Sequence, residues 1–210
     1  MKLFDMFDKV FCINLDRRPD RMIHFEDQVK KYNLGEFERV SAIDGKELQM
    51  NNFNTNLLPG EIGVILSNKK ILEESIKKEY ESILIIEDDC VFFEDIKKIN
   101  HYVKYLPTDW DMLYFGGNHN LHMGAKPPTS INNFFSKLHS TYSAHIIGIK
   151  KQNYKKILVE IDKMSKPLDV VYCDLQKELN VYSLTNGVAS QINNYSDIQN
   201  KLVDYSWLIK

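Results

Sequence analysis

The feature that most constrains this chain is the run Ser82 to Ile86 (SILII), which ends directly in Glu87, Asp88 and Asp89. An apolar run of that length without polar alternation reads as a strand buried on both faces. Such a strand needs cover above and below, which points to a layered α/β fold. The flanking sequence supplies the layers. Lys9 to Asn14 (KVFCIN) is a second short apolar run. After it, Pro19 suits a first helical turn, and Met22, Phe25, Val29 and Tyr32 repeat at helical spacing. Gly35 stands where a helix stop is expected.

Further along, Phe37 to Ala42 reads as a strand, and the polar, Asn-rich stretch 43–58 as a loop. A long helix is predicted from Pro59, with Ile62, Ile65, Leu66, Leu72, Ile76 and Tyr80 on one stripe. Asp111 to Phe115, Thr141 to Ile149 and Val181 to Leu184 are further strands. Lys151 to Asp162 and Pro167 to Leu179 are helices, and a polar tail follows. This order predicts a mostly parallel, Rossmann-like sheet flanked by helices, with right-handed crossovers. In such sheets ligands bind beyond the carboxyl ends of the strands. Two segments gain weight from that rule: Asn14 to Arg21 and Glu87 to Asp89.

Composition narrows the class. The chain has 210 residues, with 27 Lys+Arg against 29 Asp+Glu. That length suits a single domain over 1–210, and the charge balance argues against nucleic acid as a partner. No apolar run reaches the roughly 20 residues of a membrane span. Asp5 and Asp8 break the N-terminal apolar stretch, so no signal-peptide core is expected. Cys12, Cys90 and Cys173 are too scattered for a disulfide framework or a zinc site; they read as reduced thiols of a cytoplasmic protein.

Three adjacent acids at the end of an apolar strand are costly. Two unit charges about 4 Å apart repel by roughly 4 kcal/mol at an effective dielectric near 20. One reading is a site for Mg²⁺ or Mn²⁺, which take one or two carboxylates plus substrate phosphates. The other is a solvated acidic turn. If the strand continues, period-two alternation points Glu87 and Asp89 the same way. Arg17, Arg18 and Arg21 beside the first strand end suit phosphates, or else pair with Asp16, Asp20 or Glu26 on a helix face. No GxGxxG or GxxxxGK[ST] follows a strand, which disfavours a dinucleotide fold and a P-loop.

Four segments, in order, resemble glycosyltransferase family 25. They are Phe11 to Arg21 (FCINLDRRPDR), Pro59 to Asn68 (PGEIGVILSN), Ile83 to Asp89 (ILIIEDD), and Pro167-Leu168-Asp169 followed by Gln191 and Ser196-Asp197-Ile198. The resemblance implies a GT-A type fold, a UDP-sugar donor (galactose or glucose) and inverting transfer with Mn²⁺ or Mg²⁺. It implies a hydroxyl acceptor on a glycan, a lipid-linked sugar or hydroxylysine, and leaves room for peripheral membrane contact. Glu87 and Asp89 match its metal motif, with Asp88 beside them on the donor side. Asn14, Asp16, Arg17 and Arg21 match its nucleotide-side segment. Ser67 matches the Ser of a Ser-His pair, but Asn68 stands where His is usual.

Inverting transfer needs a base to take the acceptor proton. Asp169 is the first candidate and Asp174 the reserve, although an acid at position 169 also suits a helix first turn. Asp44 follows the second strand and either meets the nucleoside or makes an Asp-Gly turn. Asn118 to Ser140 reads as an acceptor-side lid, with His119 and His122 weak metal candidates; His145 reads as a hydrogen-bonded core histidine. Two alternatives compete with a metal-dependent hexosyltransferase: a nucleotidyltransferase and a degenerate, non-catalytic sugar-nucleotide-binding or scaffold module.

Overall fold

The computed structural model describes residues 2–119, 126–192, 194–198 and 201–203. Its strands are β1 (Lys9–Asn14), β2 (Glu38–Ser41), β3 (Ser82–Glu87), β4 (Cys90–Phe92), β5 (Met112–Tyr114), β6 (Asn118–His119), β7 (Thr129–Ser130), β8 (Phe135–Lys137), β9 (Thr141–Tyr142), β10 (Ile146–Lys150), β11 (Val181–Leu184), β12 (Ala189–Gln191), β13 (Asn194–Ser196) and β14 (Lys201–Val203). Its helices are α1 (Pro19–Tyr32), α2 (Pro59–Lys77), α3 (Ile99–Tyr102), α4 (Tyr154–Ile161) and α5 (Leu168–Leu175). Eight strands form the central sheet in the order β2-β1-β3-β10-β5-β11-β8-β7. The α/β expectation holds. β2, β1, β3, β5, β11 and β7 run one way; β10 and β8 are reversed.

β3 is covered on both sides, as its apolar run requires. Leu84 and Ile86 join Val10, Cys12, Met22 and Phe25 in the core under α1. Ile83 and Ile85 join Phe11, Ile62, Ile65, Leu72, Ile157 and Val171 under α2, α4 and α5. Alternate side chains of one strand thus fill two cores, which makes three layers.

Several local expectations are corrected. The segment 141–149 is not one strand: Ser143 has φ 92, and the chain breaks there into β9, paired with β6, and β10, paired with β3 and β5. α1 is closed by Asn33 in the left-handed conformation (φ 51), two residues before Gly35. Asn tolerates that conformation better than other side chains. The stretch 43–58 carries two 3-10 turns, Gly45–Glu47 and Met50–Asn52. The polar tail contributes β12, which pairs antiparallel with β4 and sets Gln191 opposite Cys90. β8, inside the expected lid, is a sheet strand with buried Phe135. His122 lies outside the described residues.

Candidate active site

β1 and β3 are parallel, with Ile13 level with Glu87. Their carboxyl ends therefore bring residues 14–21 and 87–89 together at one edge of the sheet. β3 stops at Glu87, and Asp88 and Asp89 form a turn, so the strand does not continue as the alternation argument required. The turn achieves the convergence instead. Gln191 Nε2 donates to Glu87 Oε2 at 3.2 Å and to Asp89 Oδ1 at 3.4 Å. Two carboxylates thus meet at one point on the cavity wall.

Asp88 turns the other way and is held from below. Asn14, only 1% exposed, donates through Nδ2 to Asp88 Oδ2 at 2.6 Å and to the Arg18 carbonyl at 2.9 Å. Its Oδ1 accepts from Arg39 Nε at 2.9 Å. Asn14 is therefore a support for Asp88 and is not itself on the cavity wall. Arg21 Nη1 lies 3.2 Å from Asp88 Oδ1 and 3.5 Å from Asp89 Oδ2. Burial, then the neighbouring Asp89 and Asp88, push the Glu87 carboxyl up. Burial and Asp89 push Asp88 to about 6, against the pull of Asn14 and Arg21. Asp89 is raised by burial and partly held down by Arg21.

These acids face a cavity of about 460 Å³, whose wall also carries Arg17, Arg21, Asp44, Ser67, Asn68 and Asp197. Asp44 Oδ1 accepts from Lys46 N at 3.0 Å, the Asp-Gly turn of the sequence reading. Its Oδ2 accepts from Arg17 Nε at 2.5 Å, which ties the turn to the arginine segment after β1. Gly45 and Gly63 let this turn lie on α2. A Cβ on Gly45 would stand 2.0 Å from the Pro59 carbonyl oxygen, and one on Gly63 2.4 Å from that of Ile43. Ser67 Oγ fastens the same junction, accepting from Ile43 N at 2.9 Å and donating to the Gly63 carbonyl at 2.7 Å. Asn68 donates to the Val64 carbonyl at 3.0 Å and accepts from Tyr172 at 3.4 Å. Both side chains sit in the wall; Ser67 ties the 43–45 turn to α2, and Asn68 ties α2 to α5.

A second cavity of about 440 Å³ adjoins the first and shares Leu58, Val64, Glu87, Gln191, Ser196 and Ile198 with it. Asp169 is on its wall, at the start of α5, with Oδ1 accepting from Val170 N at 2.9 Å. Burial raises its carboxyl, and Asp169 in turn raises Glu87. The charge of one is felt by the other across the shared wall.

Two sequence-predicted residues fall elsewhere. Asp174 lies on neither cavity wall; it pairs with Lys166 and Lys177, each at 2.7 Å, which hold its carboxyl low. Five helical positions rotate a side chain by about 140°, so Asp169 and Asp174 cannot share a face. Asp16 is largely exposed and bonds Arg39 at 2.5 Å and Ser41 at 2.7 Å, off the cavity. His119 bonds Thr141 Oγ1 at 2.8 Å. His145 is a core histidine bonded to Ser143, with burial lowering its pKa to about 4.

Asp197, quoted only within the resemblance, was given no role by the sequence. Arg17 Nη1 and Arg18 Nη1 each donate to it at 2.6 Å, and Arg21 Nη2 is 3.8 Å away. Its partners lie about 180 residues earlier, beyond any local pattern. Gln191, quoted only as part of the resemblance, turns out to bridge the two acids.

Among the described residues no group of three or more His, Cys, Asp and Glu forms a complete metal cage. Glu87 and Asp89 present two converging carboxylates to the cavity, paired with no lysine among the described residues, with Arg21 3.5 Å from Asp89. That donor set fits Mn²⁺ or Mg²⁺, whose remaining positions go to water and substrate phosphate.

Comparison with known proteins agrees with this geometry. Residues 7–166 match the description "Glycosyltransferase family 25 (LPS biosynthesis protein)". A mouse procollagen galactosyltransferase 2 is 31% identical over 187 residues, covering 78% of this chain and 29% of that protein. A Drosophila melanogaster glycosyltransferase 25 family member is 31% identical, covering 77% of this chain and 28% of its own length. A rat protein described as a probable inactive glycosyltransferase 25 family member 3 is 30% identical over 52% of this chain and 23% of its own. The chain thus spans under a third of the length of these relatives. With most of its length matched, including the Asn14 to Arg21 and Glu87 to Asp89 segments, the chain belongs to glycosyltransferase family 25.

Proposed function

We propose that this protein transfers a hexose, galactose or glucose, from a UDP-sugar to an acceptor hydroxyl, with inversion and with Mn²⁺ or Mg²⁺ assistance. The observation that carries this reading is the convergence of Glu87 and Asp89 on the wall between two cavities, one with arginines and the other with Asp169. A cation held there offsets charge on the departing diphosphate. Arg17 and Arg21 serve the diphosphate, and Asp88, fixed by Asn14, orients Arg21. Asp44 and Ser67 shape the nucleoside end. Asp169 takes the acceptor proton; its environment raises its proton affinity, which suits a base working near neutrality. The acceptor is a glycan, a lipid-linked sugar or hydroxylysine.

Asn68 in place of the family His does not favour a degenerate module, because both ends of its amide are used in helix contacts. The nucleotidyltransferase alternative lacks a glycine-rich loop after β1, where Asn14-Leu15-Asp16 stands. No helix among the described residues is long and apolar enough to cross a membrane. A cytoplasmic setting belongs to the same proposal, since all three cysteines are buried free thiols; fractionation that finds the protein elsewhere removes it.

The direct test is thermal unfolding with Mn²⁺ and a set of UDP-sugars. Ligand at about 100 times its Kd adds roughly 2.7 kcal/mol of stability. The stabilisation is expected with UDP plus Mn²⁺ and is lost on chelation. No stabilisation by any nucleotide overturns the proposal.

A further inference from the structure

The most tightly bracketed anion among the described residues is Asp197. Its Oδ1 accepts from Arg17 and its Oδ2 from Arg18, both at 2.6 Å, with Arg21 at 3.8 Å. Its side chain is 10% exposed, and those of Arg18 and Arg21 are 15% and 11% exposed. A carboxylate bridging two guanidinium forks occupies the place that a phosphate group would take. Arg17 and Arg21 also line the cavity that ends at Glu87 and Asp89.

We propose that Arg17 and Arg18 form a diphosphate subsite and that Asp197 occupies it as a stand-in anion, yielding when a nucleoside diphosphate enters. This rests on the donor-site reading above and adds the displacement of Asp197 to it. A diphosphate and Asp197 cannot both hold the same guanidinium groups without placing like charges side by side. Release of Asp197 has a consequence for the neighbouring cavity. Ser196 and Ile198 line both cavities, and the Ile198 Cα is 3.0 Å from where a Gly60 Cβ would stand. Among the described residues, β13 and β14 pair only with each other and with no strand of the central sheet. Asp197 is thus one anchor of the segment 196–198, whose Ile198 also lies against Gly60, and donor entry, by displacing Asp197, shifts the wall on the acceptor side. Coupling of this kind is reciprocal: whatever the docked segment costs the diphosphate, the diphosphate costs the docked segment.

The experiment titrates the full chain with inorganic pyrophosphate, UDP and uridine, with Mn²⁺ present and with metal chelated, in wild type and in Asp197→Asn. Hydrogen exchange of residues 194–203 is followed on wild type with and without UDP. If the docked state holds about nine-tenths of the molecules, Asp197→Asn tightens pyrophosphate about tenfold. Uridine affinity is unchanged, and UDP speeds exchange in 194–203. Pyrophosphate binding that is weaker or unchanged in Asp197→Asn overturns the inference and leaves the donor site standing. So does exchange that slows or stays constant with UDP, a result that needs no variant. Absence of pyrophosphate and UDP binding in both forms overturns the donor-site reading and this inference with it.

Discussion

The two cavities that meet at Glu87 differ in how they treat charge. The first sets Arg17, Arg21 and Lys46 among its acids. Among the described residues the second carries Glu61, Glu87 and Asp169 and no Lys, Arg or His. Within the first cavity the two acids paired with Arg17 differ from Asp88 and Asp89, which burial raises despite Arg21. Asp44 and Asp197 are held low by arginines, Asp44 chiefly by Arg17 and Asp197 against the cost of its burial. Asp169, with no cation against it among the described residues, is raised by burial. A surface that receives a diphosphate needs fixed positive charge. A surface that removes a proton needs an anion whose negative charge is not already satisfied. In the proposed function the same residue type is assigned opposite tasks because its surroundings differ.

The sharpest way to break this contrast is Asp169→Asn. It is expected to slow transfer by about 10²–10⁴-fold while UDP affinity stays within about twofold of wild type, read from kcat and from a UDP titration. Parallel loss of both removes the division of roles. In wild type, transfer falls as pH drops through the raised Asp169 value, earlier than an ordinary aspartate would allow. Next in size is Asp89→Asn, which is expected to abolish the roughly 2.7 kcal/mol of Mn²⁺-dependent stabilisation by UDP at 100 Kd. Stabilisation that survives in this variant moves the cation elsewhere.

Asn14→Ala is expected to lower stability by about 1–3 kcal/mol, measured by denaturant midpoint, because Asp88 and the Arg18 carbonyl lose a buried donor. A smaller effect lies in the pH dependence of the metal-free protein. Asp88 is raised from 3.8 to about 6, so the folded state binds its proton more tightly than the unfolded one. Stability therefore falls as pH rises through that window, by on the order of 1 kcal/mol per pH unit. Asp88→Asn flattens that slope; a slope unchanged in the variant assigns it to other groups. The arginine-held acids act in the opposite sense, losing their contribution as pH falls through their depressed values. The smallest effect is at Asp174. Asp174→Asn leaves transfer unchanged and costs under about 0.5 kcal/mol, as expected of partly exposed ion pairs. A large loss of transfer there returns Asp174 to the site.

Legibility in the sequence followed the range of the interactions. α1 and α2 were readable because a dozen or more neighbouring residues carry a helical period, and β1 and β3 because each is a short unbroken apolar run. β4, β8 and β12 are three residues each and exist through partners far along the chain, so no window reveals them. Asp169 and Asp174 look alike in sequence and are separated only by helix rotation. Asp16 and Arg17 are adjacent, yet one bonds Arg39 at the outer edge while the other reaches the cavity.

The linear chain carried the acids at the end of a doubly buried strand, because an apolar run that stops in three carboxylates has few physical uses. It also carried the layered architecture, through periodicity. Three-dimensional folding settled which oxygens converge. Gln191 gathers Glu87 and Asp89 across about 100 residues, and Asp197 answers arginines about 180 positions away. Charge interactions act through space with no sequence period, so their partners are fixed only when the sheet closes and brings distant segments to one rim.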